Sequence, residues 1–469
     1  MRRWVASRSA ATDSSRAPRG SAGATATFAA FLGNFIITFD AVVVTIALPT
    51  IGRDMGGGIA GLQWVADGYT LMFAALLLSS GSLSDRIGGR RAFGLGVALF
   101  SFASLTCGLA PSLAVLVAAR VVQGTAAAVM MPSSLAMLRS AHSDHVRRGR
   151  AVAIWAAGGG LAAACAPILG GLMTLASWRL IFLVNVPVGL LTLAALTRVP
   201  PSARRPASFD WTGQLSAIVS MAALTYGAIE AGASGTGQLR VAVPLVLAVI
   251  AALVFVLSQA RGRHPMVPPV LYRNSTLRIA ALVGFAFMVA FWGLPFVFTL
   301  YLQQERGLSP LATGAVFLPM MIVGGALTPL SARLVERIGY RAPIVCGLLV
   351  LAIGLLVLGM LAKSAPIWML AATMVLVGLS GPLVMPTTTG ALLNGVDGHV
   401  AGTASAVFHT SRQVGGTLAI AVFGALLADP ATSRQGVRTS LTLAAVGAVL
   451  AAASALRLSA ATPASRKTH

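Results

Sequence analysis

The chain alternates long apolar stretches with short polar loops. Spans are predicted near 25–49, 64–82, 92–110, 112–138, 151–175, 180–197, 211–230, 241–259, 279–302, 311–331, 342–361, 367–392, 401–427 and 438–457. At about 1.5 Å per residue, a helix of this length crosses the ~30 Å hydrocarbon core. A segment in that solvent must satisfy its own backbone polar groups, so each span is read as a helix. The pattern predicts an all-α polytopic membrane protein with fourteen transmembrane helices.

Polar residues inside these spans carry the chemistry. Asp40 is nine residues from Pro49, so it sits ~14 Å below that end of its helix. An ionised carboxylate there costs at least a few kcal/mol, so it must be paired, protonated or open to water. Arg120 is nine residues from Pro111 and reaches the same depth. Arg412 lies eleven residues into its span, with His409 three residues before it and Gln413 four after His409, all within reach on one helix. His409 and Arg412 are secondary proton-coupling candidates; a structural role for His409 is the simpler reading. Asp67 and Glu230 fall near outer span ends, where solvated boundary acids are expected and proton access is the alternative. Phe285, Phe291, Trp292 and Phe296, with Met288, form either an apolar substrate wall or a lipid contact.

Composition fits this picture. Of 469 residues, 57% are hydrophobic and 10% charged, and mean hydropathy is +0.84. No stretch is long and polar enough for a soluble domain. Residues 1–24 are expected to be a short disordered cytoplasmic tail, because the apolar run after them is too long for a signal peptide. Cys107, Cys165 and Cys346 all fall in apolar segments and suggest neither a disulfide nor a metal site. All but two of the basic residues, Lys363 and Lys467, are Arg, which suggests a high-GC bacterial genome.

The net charge of +22 could indicate nucleic acid, but its placement does not. With the N-terminus in the cytoplasm, the tails and even-numbered loops carry 25 Lys and Arg, the odd-numbered loops 7, and the spans the other two. That asymmetry puts both termini inside, with lipid headgroups as the basic residues' neighbours. No nucleic-acid partner and no cofactor are expected.

There is an internal repeat. Asp85-Arg86-Ile87-Gly88-Gly89-Arg90 follows the second span, and Glu336-Arg337-Ile338-Gly339-Tyr340-Arg341 follows the tenth. Two six-helix halves with two helices inserted between them explain the offset, and repeated halves are the architecture of secondary transporters. The expected divisions are 1–24, 25–198, 199–278 with the extra pair, 279–458 and 459–469. Gly81, Asp85, Arg86, Gly88, Arg90 and Arg91, echoed by Glu336 and Arg337, read as a charge latch. Such a latch holds one conformation and releases in another.

These loop residues resemble the signature loop of the major facilitator superfamily. Other stretches narrow the resemblance to its fourteen-helix drug:proton antiporters. They are Asp40-Ala-Val-Val-Val-Thr-Ile-Ala-Leu-Pro49, Arg120-Val-Val-Gln123-Gly124, Trp178-Arg179-Leu-Ile-Phe182-Leu-Val-Asn185-Val-Pro187-Val-Gly189, Gly402-Thr-Ala-Ser405 and Ser411-Arg412-Gln413-Val-Gly415-Gly416. The family's helix-5 antiporter motif is partly kept as Ala166-Pro167-Ile-Leu-Gly170-Gly171, with Ala in place of the first Gly. Pro167, Gly170 and Gly171 suit a sliding helix interface.

The resemblance implies that helices 1 and 4 line a central cavity, where Asp40 and Arg120 exchange a salt bridge for a proton. Gln123, Phe285, Phe291, Trp292 and Phe296 are the substrate-binding candidates. No ATP site, metal cluster or catalytic constellation stands out, so the chain is not expected to be an enzyme and its energy must come from a gradient. The expectation is a monomeric, proton-coupled efflux antiporter in the bacterial inner membrane. Its expected cargo is an amphipathic drug, cationic drugs included, or a self-made antibiotic. The alternatives are an importer on the same fold and a membrane sensor without transport.

Overall fold

The computed structural model describes residues 19–458 except 143, 205–209, 236, 263–265, 268–270, 272, 363, 398–399 and 429–432. Most of the expected N-terminal tail, the tail at 459–469 and parts of both linkers lie outside the described residues. The helices are α1 (Arg19–Met55), α2 (Gly58–Ile87), α3 (Gly89–Gly108), α4 (Leu113–Ala141), α5 (His145–Ala176), α6 (Leu180–Leu183), α7 (Asn185–Leu196), α8 (Trp211–Ser234) and α9 (Leu239–Arg261). They continue with α10 (Ser275–Leu300), which ends in a π turn over Tyr301–Glu305, then α11 (Pro310–Ile338), α12 (Arg341–Leu361), α13 (Ile367–Gly395), α14 (Ala401–Leu426) and α15 (Ser433–Ala455). Because α1 starts at Arg19, residues 19–24 belong to a helix and not to the tail.

Each expected span falls on one of these helices, α6 and α7 sharing one. Among the described residues, eleven helices are long and apolar enough to cross a membrane, or twelve if α2 counts as one span despite its 65° bend between Gly58–Leu77 and Ser79–Ile87. Leu180–Leu196 is a shorter apolar helix. A count of fourteen is compatible with this arrangement.

Local chemistry sets the helix ends. Asp144, Asp210 and Asn274 accept the backbone N–H three residues on at 2.8, 2.8 and 3.0 Å, satisfying donors that a helix start leaves free. The two repeated loops turn the same way. Gly88 ends α2 with φ 91° and Gly339 ends α11 with φ 74°, a region that side chains disfavour.

The helices pack by one scheme, used twice. In the first set α1 lies on α5 and α7, α2 on α4, and α3 on α4 and α7. In the second set α10 lies on α14 and α15, α11 on α13, and α12 on α13 and α15. The sets meet where α2 packs on α14 and α5 on α11, with α1 also touching α10 and α11. Between them in sequence, α8 packs on α2, α14 and α9, while α9 has α8 as its main partner.

The two sets are closed against each other toward the face carrying the α1–α2 connection. There Gln63 Nε2 donates to the Ile420 and Ala421 carbonyls at 3.1 and 2.7 Å, and Gln303 Nε2 donates to the Ile46 carbonyl at 2.9 Å. A Cβ on Gly171 of α5 would lie 2.6 Å from Leu311 Cα, and one on Gly314 of α11 would strike the Pro167 carbonyl. Eleven residues from Gly171, Gly160 lies on nearly the same face of α5, as Gly325 does relative to Gly314 on α11. Yet among the described residues no atom beyond the helix's own neighbouring backbone lies within 4 Å of a Cβ built at either. The two helices therefore touch at one end and diverge at the other, opening the space between the sets toward the α2–α3 face.

Candidate functional site

The bundle core around Asp40 is assembled from five helices. Arg120 and Gln123 are three residues apart on α4, so they share a face. Both reach Asp40 of α1. Arg120 NH1 forms an ion pair with Oδ2, and Gln123 Nε2 donates to Oδ1 at 2.8 Å. Asn185, the first residue of α7 after the break at Val184, donates from Nδ2 to the same Oδ1 at 2.9 Å. Arg120 is held further by the Gln123 Oε1 at 2.8 Å and by the Val65 carbonyl of α2, which accepts from Nε at 2.9 Å. Gln123 also donates to Ser104 Oγ of α3 at 2.8 Å.

Backbone proximity makes these bonds reachable. Gly124 lies so close to the Tyr69 carbonyl that no Cβ fits there, which brings α4 onto α2. The Arg120 guanidinium carbon then sits 4.4 Å from the centre of the Tyr69 ring and 5.8 Å from that of Phe182, a favourable seat for a cation. Tyr69 OH donates to the Ile37 carbonyl at 3.1 Å.

The cluster is sealed. Asp40 is 0% exposed and Arg120 1%, and Gln123, Asn185, Ser104, Tyr69 and Phe182 are all buried. The structure thus brings Asp40 and Arg120 together, but inside the wall of the first helix set and not on a cavity surface. Gln123 belongs to this network as well, which removes it from the exposed substrate-contact role expected for it. A buried pair is strongly destabilised when one partner loses its charge. A proton on Asp40 therefore changes the balance of every helix that the cluster ties together.

Asp67 corrects the sequence reading. It is not a solvated boundary acid but is fully buried within α2. Its Oδ1 accepts from Thr70 Oγ1 at 3.2 Å, and its Oδ2 has no partner among the described residues. One turn earlier on the same helix, Gln63 bonds α14, so Asp67 lies along the α2–α14 seam. Thr417, one turn from Ala421 on α14, also has a buried hydroxyl without a partner among the described residues. Glu230 is half-buried near the end of α8 and accepts from Ser234 Oγ.

The aromatic candidates divide. Phe285 and Trp292 are half-buried with Val289 on one edge of α10. Phe291 is also half-buried, but stacks on Phe287 at 5.2 Å. Phe296 is 0% exposed in the core, so it is not a substrate wall. The helix-5 motif also splits. Gly171 faces α11, whereas Gly170 packs on Val43 of α1. His409 and Arg412 sit together on α14, with Nδ1 and NH1 3.3 Å apart.

The latch residues are apart here. Asp85, Arg86, Arg91, Glu336 and Arg337 are exposed, Gly81 borders open space, and Arg90 is tied through its backbone N–H to Ser202 Oγ at 3.1 Å. No ion pair among the described residues includes them. Asn185, Tyr69 and Ser104 were missed as site residues. The one available signal was Asn185, a lone amide in an apolar run beside Pro187.

Two matched helix sets around a shared space, with a buried ion pair in one of them, define a secondary-transporter architecture. The sequence model of the Major Facilitator Superfamily matches residues 30–420, and the chain belongs to that family. It is 37% identical over 405 residues to the multidrug resistance protein Stp of Mycobacterium tuberculosis (strain CDC 1551 / Oshkosh), covering 85% of this chain and 74% of that protein. It is 35% identical to the tetracenomycin C resistance and export protein of Streptomyces glaucescens, with the same coverage of 85% and 74%. It is 32% identical to the methylenomycin A resistance protein of Streptomyces coelicolor (strain ATCC BAA-471 / A3(2) / M145), over 91% of this chain and 90% of that one. The crystal structure of a D-xylose-proton symporter superposes with a TM-score of 0.68 at 14% identity, covering 94% of this chain and 98% of that one, a likeness of fold.

Proposed function

We propose that the chain is a proton-coupled exporter of amphipathic small molecules, drugs or a self-made antibiotic, in a bacterial inner membrane. The observation that carries this reading is the sealed Asp40–Arg120–Gln123–Asn185 cluster. It is a carboxylate at membrane depth, tied to three side chains on two other helices. Protonation discharges the Arg120 pair and shifts the balance between the two facings of the transporter. A proton moving down ~100 mV supplies about 2.3 kcal/mol for that shift. The names of the relatives, resistance and export proteins, support the outward direction.

The Arg distribution supports a topology with both termini in the cytoplasm. The open α2–α3 face is then the cytoplasmic one, where an exporter takes up cargo. Asp67, buried on the seam between the helix sets, is a second proton site of the same pathway. The protein works as a monomer, because each chain carries both helix sets.

Everted vesicles containing the protein test the reading. On addition of a lipophilic dye or antibiotic, an imposed proton gradient should drive its uptake into the vesicles and be partly dissipated. Uptake only in right-side-out vesicles would make the chain an importer. Cargo binding without any proton movement would sink the coupling.

A further inference from the structure

Arg412 stands in the middle of α14, eleven residues and thus ~16 Å from its Ala401 end. Its stem fills space left by Gly284 of α10, where a Cβ would lie 2.9 Å from Arg412 Cγ. The Phe408 ring centre is 5.7 Å from its Cζ, and His409 Nδ1 is 3.3 Å from NH1. Arg412 thus has a fitted seat but no counter-charge. Among the described residues no carboxylate pairs with it, and its Nε is buried without a hydrogen-bond partner. The acids described in the second helix set, Glu305, Glu336 and Asp397, all lie at helix ends or in loops.

Arg120 is the comparison. Within the first set it is sealed and bonded to a carboxylate. Arg412 is half-buried, as are its neighbours from His409 to Val414. An arginine keeps its charge in a protein interior, and such a charge needs an anion or water. Beside it, Phe285, Val289 and Trp292 line the half-buried edge of α10 at spacings of four and three residues. The Trp292 indole lies against Gly416, one turn from Arg412, with Cδ1 3.5 Å from the place of a Cβ.

We propose that Arg412 is an anion subsite for cargo. Its guanidinium takes the carboxylate or sulfonate of an amphipathic organic acid in charge-assisted hydrogen bonds. The apolar body of the cargo lies on Phe285, Val289 and Trp292. This rests on the exporter reading and gives it a substrate class, organic anions, in place of the cationic drugs that sequence alone left open.

The test uses the full chain in lipid nanodiscs, with radiolabelled 1-naphthoate and its neutral isostere 1-naphthamide as probes. Equilibrium dialysis against empty nanodiscs corrects for lipid partition. Naphthoate should bind at least about tenfold more tightly than naphthamide. Arg412→Gln should abolish that preference while leaving naphthamide within about twofold, and Arg412→Lys should keep part of it. Equal affinity for the two probes, no naphthoate binding at millimolar concentration, or equal loss of both in Arg412→Gln would overturn the proposal. If Arg412→Gln does not fold, the acid-to-amide ratio of the unmodified protein decides alone. Vesicles that export a neutral amphiphile on a proton gradient and ignore naphthoate would sink the subsite and spare the exporter. Absence of all gradient-driven export would sink the exporter, whereas the nanodisc ratio would still report on Arg412.

Discussion

Gln214 donates its side-chain N–H to the Ala75 carbonyl at 2.9 Å. That carbonyl belongs four residues before Ser79, where α2 bends by 65°. A bend of this size disturbs the i→i−4 ladder, and a side chain from another helix is a recognised cause. Ser79 Oγ completes the contact by donating to Gln214 Oε1. The first inserted helix therefore grips α2 about two turns before Asp85 and Arg86, which lie in the last turn of α2 and not in the loop that sequence suggested.

Gln214→Leu removes both hydrogen bonds of the grip, a loss of about 0.5–1.5 kcal/mol for each. Transport turnover should fall while cargo KM stays within about twofold. Spin labels at Asp85 and Glu336 should report a changed distance distribution. An unchanged distribution would mean that α2 bends without help from α8.

Asp40→Asn should abolish proton-driven efflux while the protein still inserts and folds, because the amide keeps the shape but cannot carry the proton. Asp40→Glu should retain partial function. Asn185→Ala removes one donor to Asp40 and should lower stability by about 1–3 kcal/mol. Wild-type coupled transport in Asp40→Asn vesicles would remove Asp40 from the mechanism.

At the closed end, Gly314→Val places a side chain against the Pro167 carbonyl. The variant should disfavour this facing and populate the opposite one. The readout is labelling of a cysteine introduced at Gln63 by a membrane-impermeant maleimide, which should rise severalfold over the same cysteine in the parent chain. Labelling that does not change would show that α5 and α11 tolerate the added bulk by local adjustment.

Asp85→Asn and Arg86→Ala should slow conformational exchange more than they weaken cargo binding, since both are remote from the mid-membrane site. Among the described residues they form no ion pair in this facing, so their effect belongs to the other one. Substitutions at Glu336 should be milder. Equally steep losses in binding and rate would end the latch reading.

Much of this was legible in the sequence because a bilayer enforces simple rules. Apolar length located the spans, though not the break at Val184; depth put Asp40 and Arg120 at one level, and the family resemblance brought them together. What failed was direction around the helix axis. Depth along α1 says nothing about whether Asp40 points into a cavity or into its own bundle, and the whole cluster turned out to face inward. Asp67 failed for a related reason. Its distance from the end of a hydropathic segment suggested a boundary, whereas α2 begins earlier, at Gly58. Phe296 and Phe285 are alike in sequence terms, and only the packing of α10 separates them. Of the inserted pair, α9 has α8 as its main partner, whereas Gln214 ties α8 to α2, a contact that apolar length could not show.

The sealed position of Asp40 has an electrical consequence. Proton and cargo occupy different rooms, so they need not compete, and the charges they move simply add. For one proton entering per molecule exported, a cationic cargo makes the cycle electroneutral and a neutral cargo moves one charge. A cargo anion held at Arg412 makes it two, or about 4.6 kcal/mol at ~100 mV. The same protein would then drive acids harder than neutral compounds, with the membrane voltage, not the pH difference, setting how far.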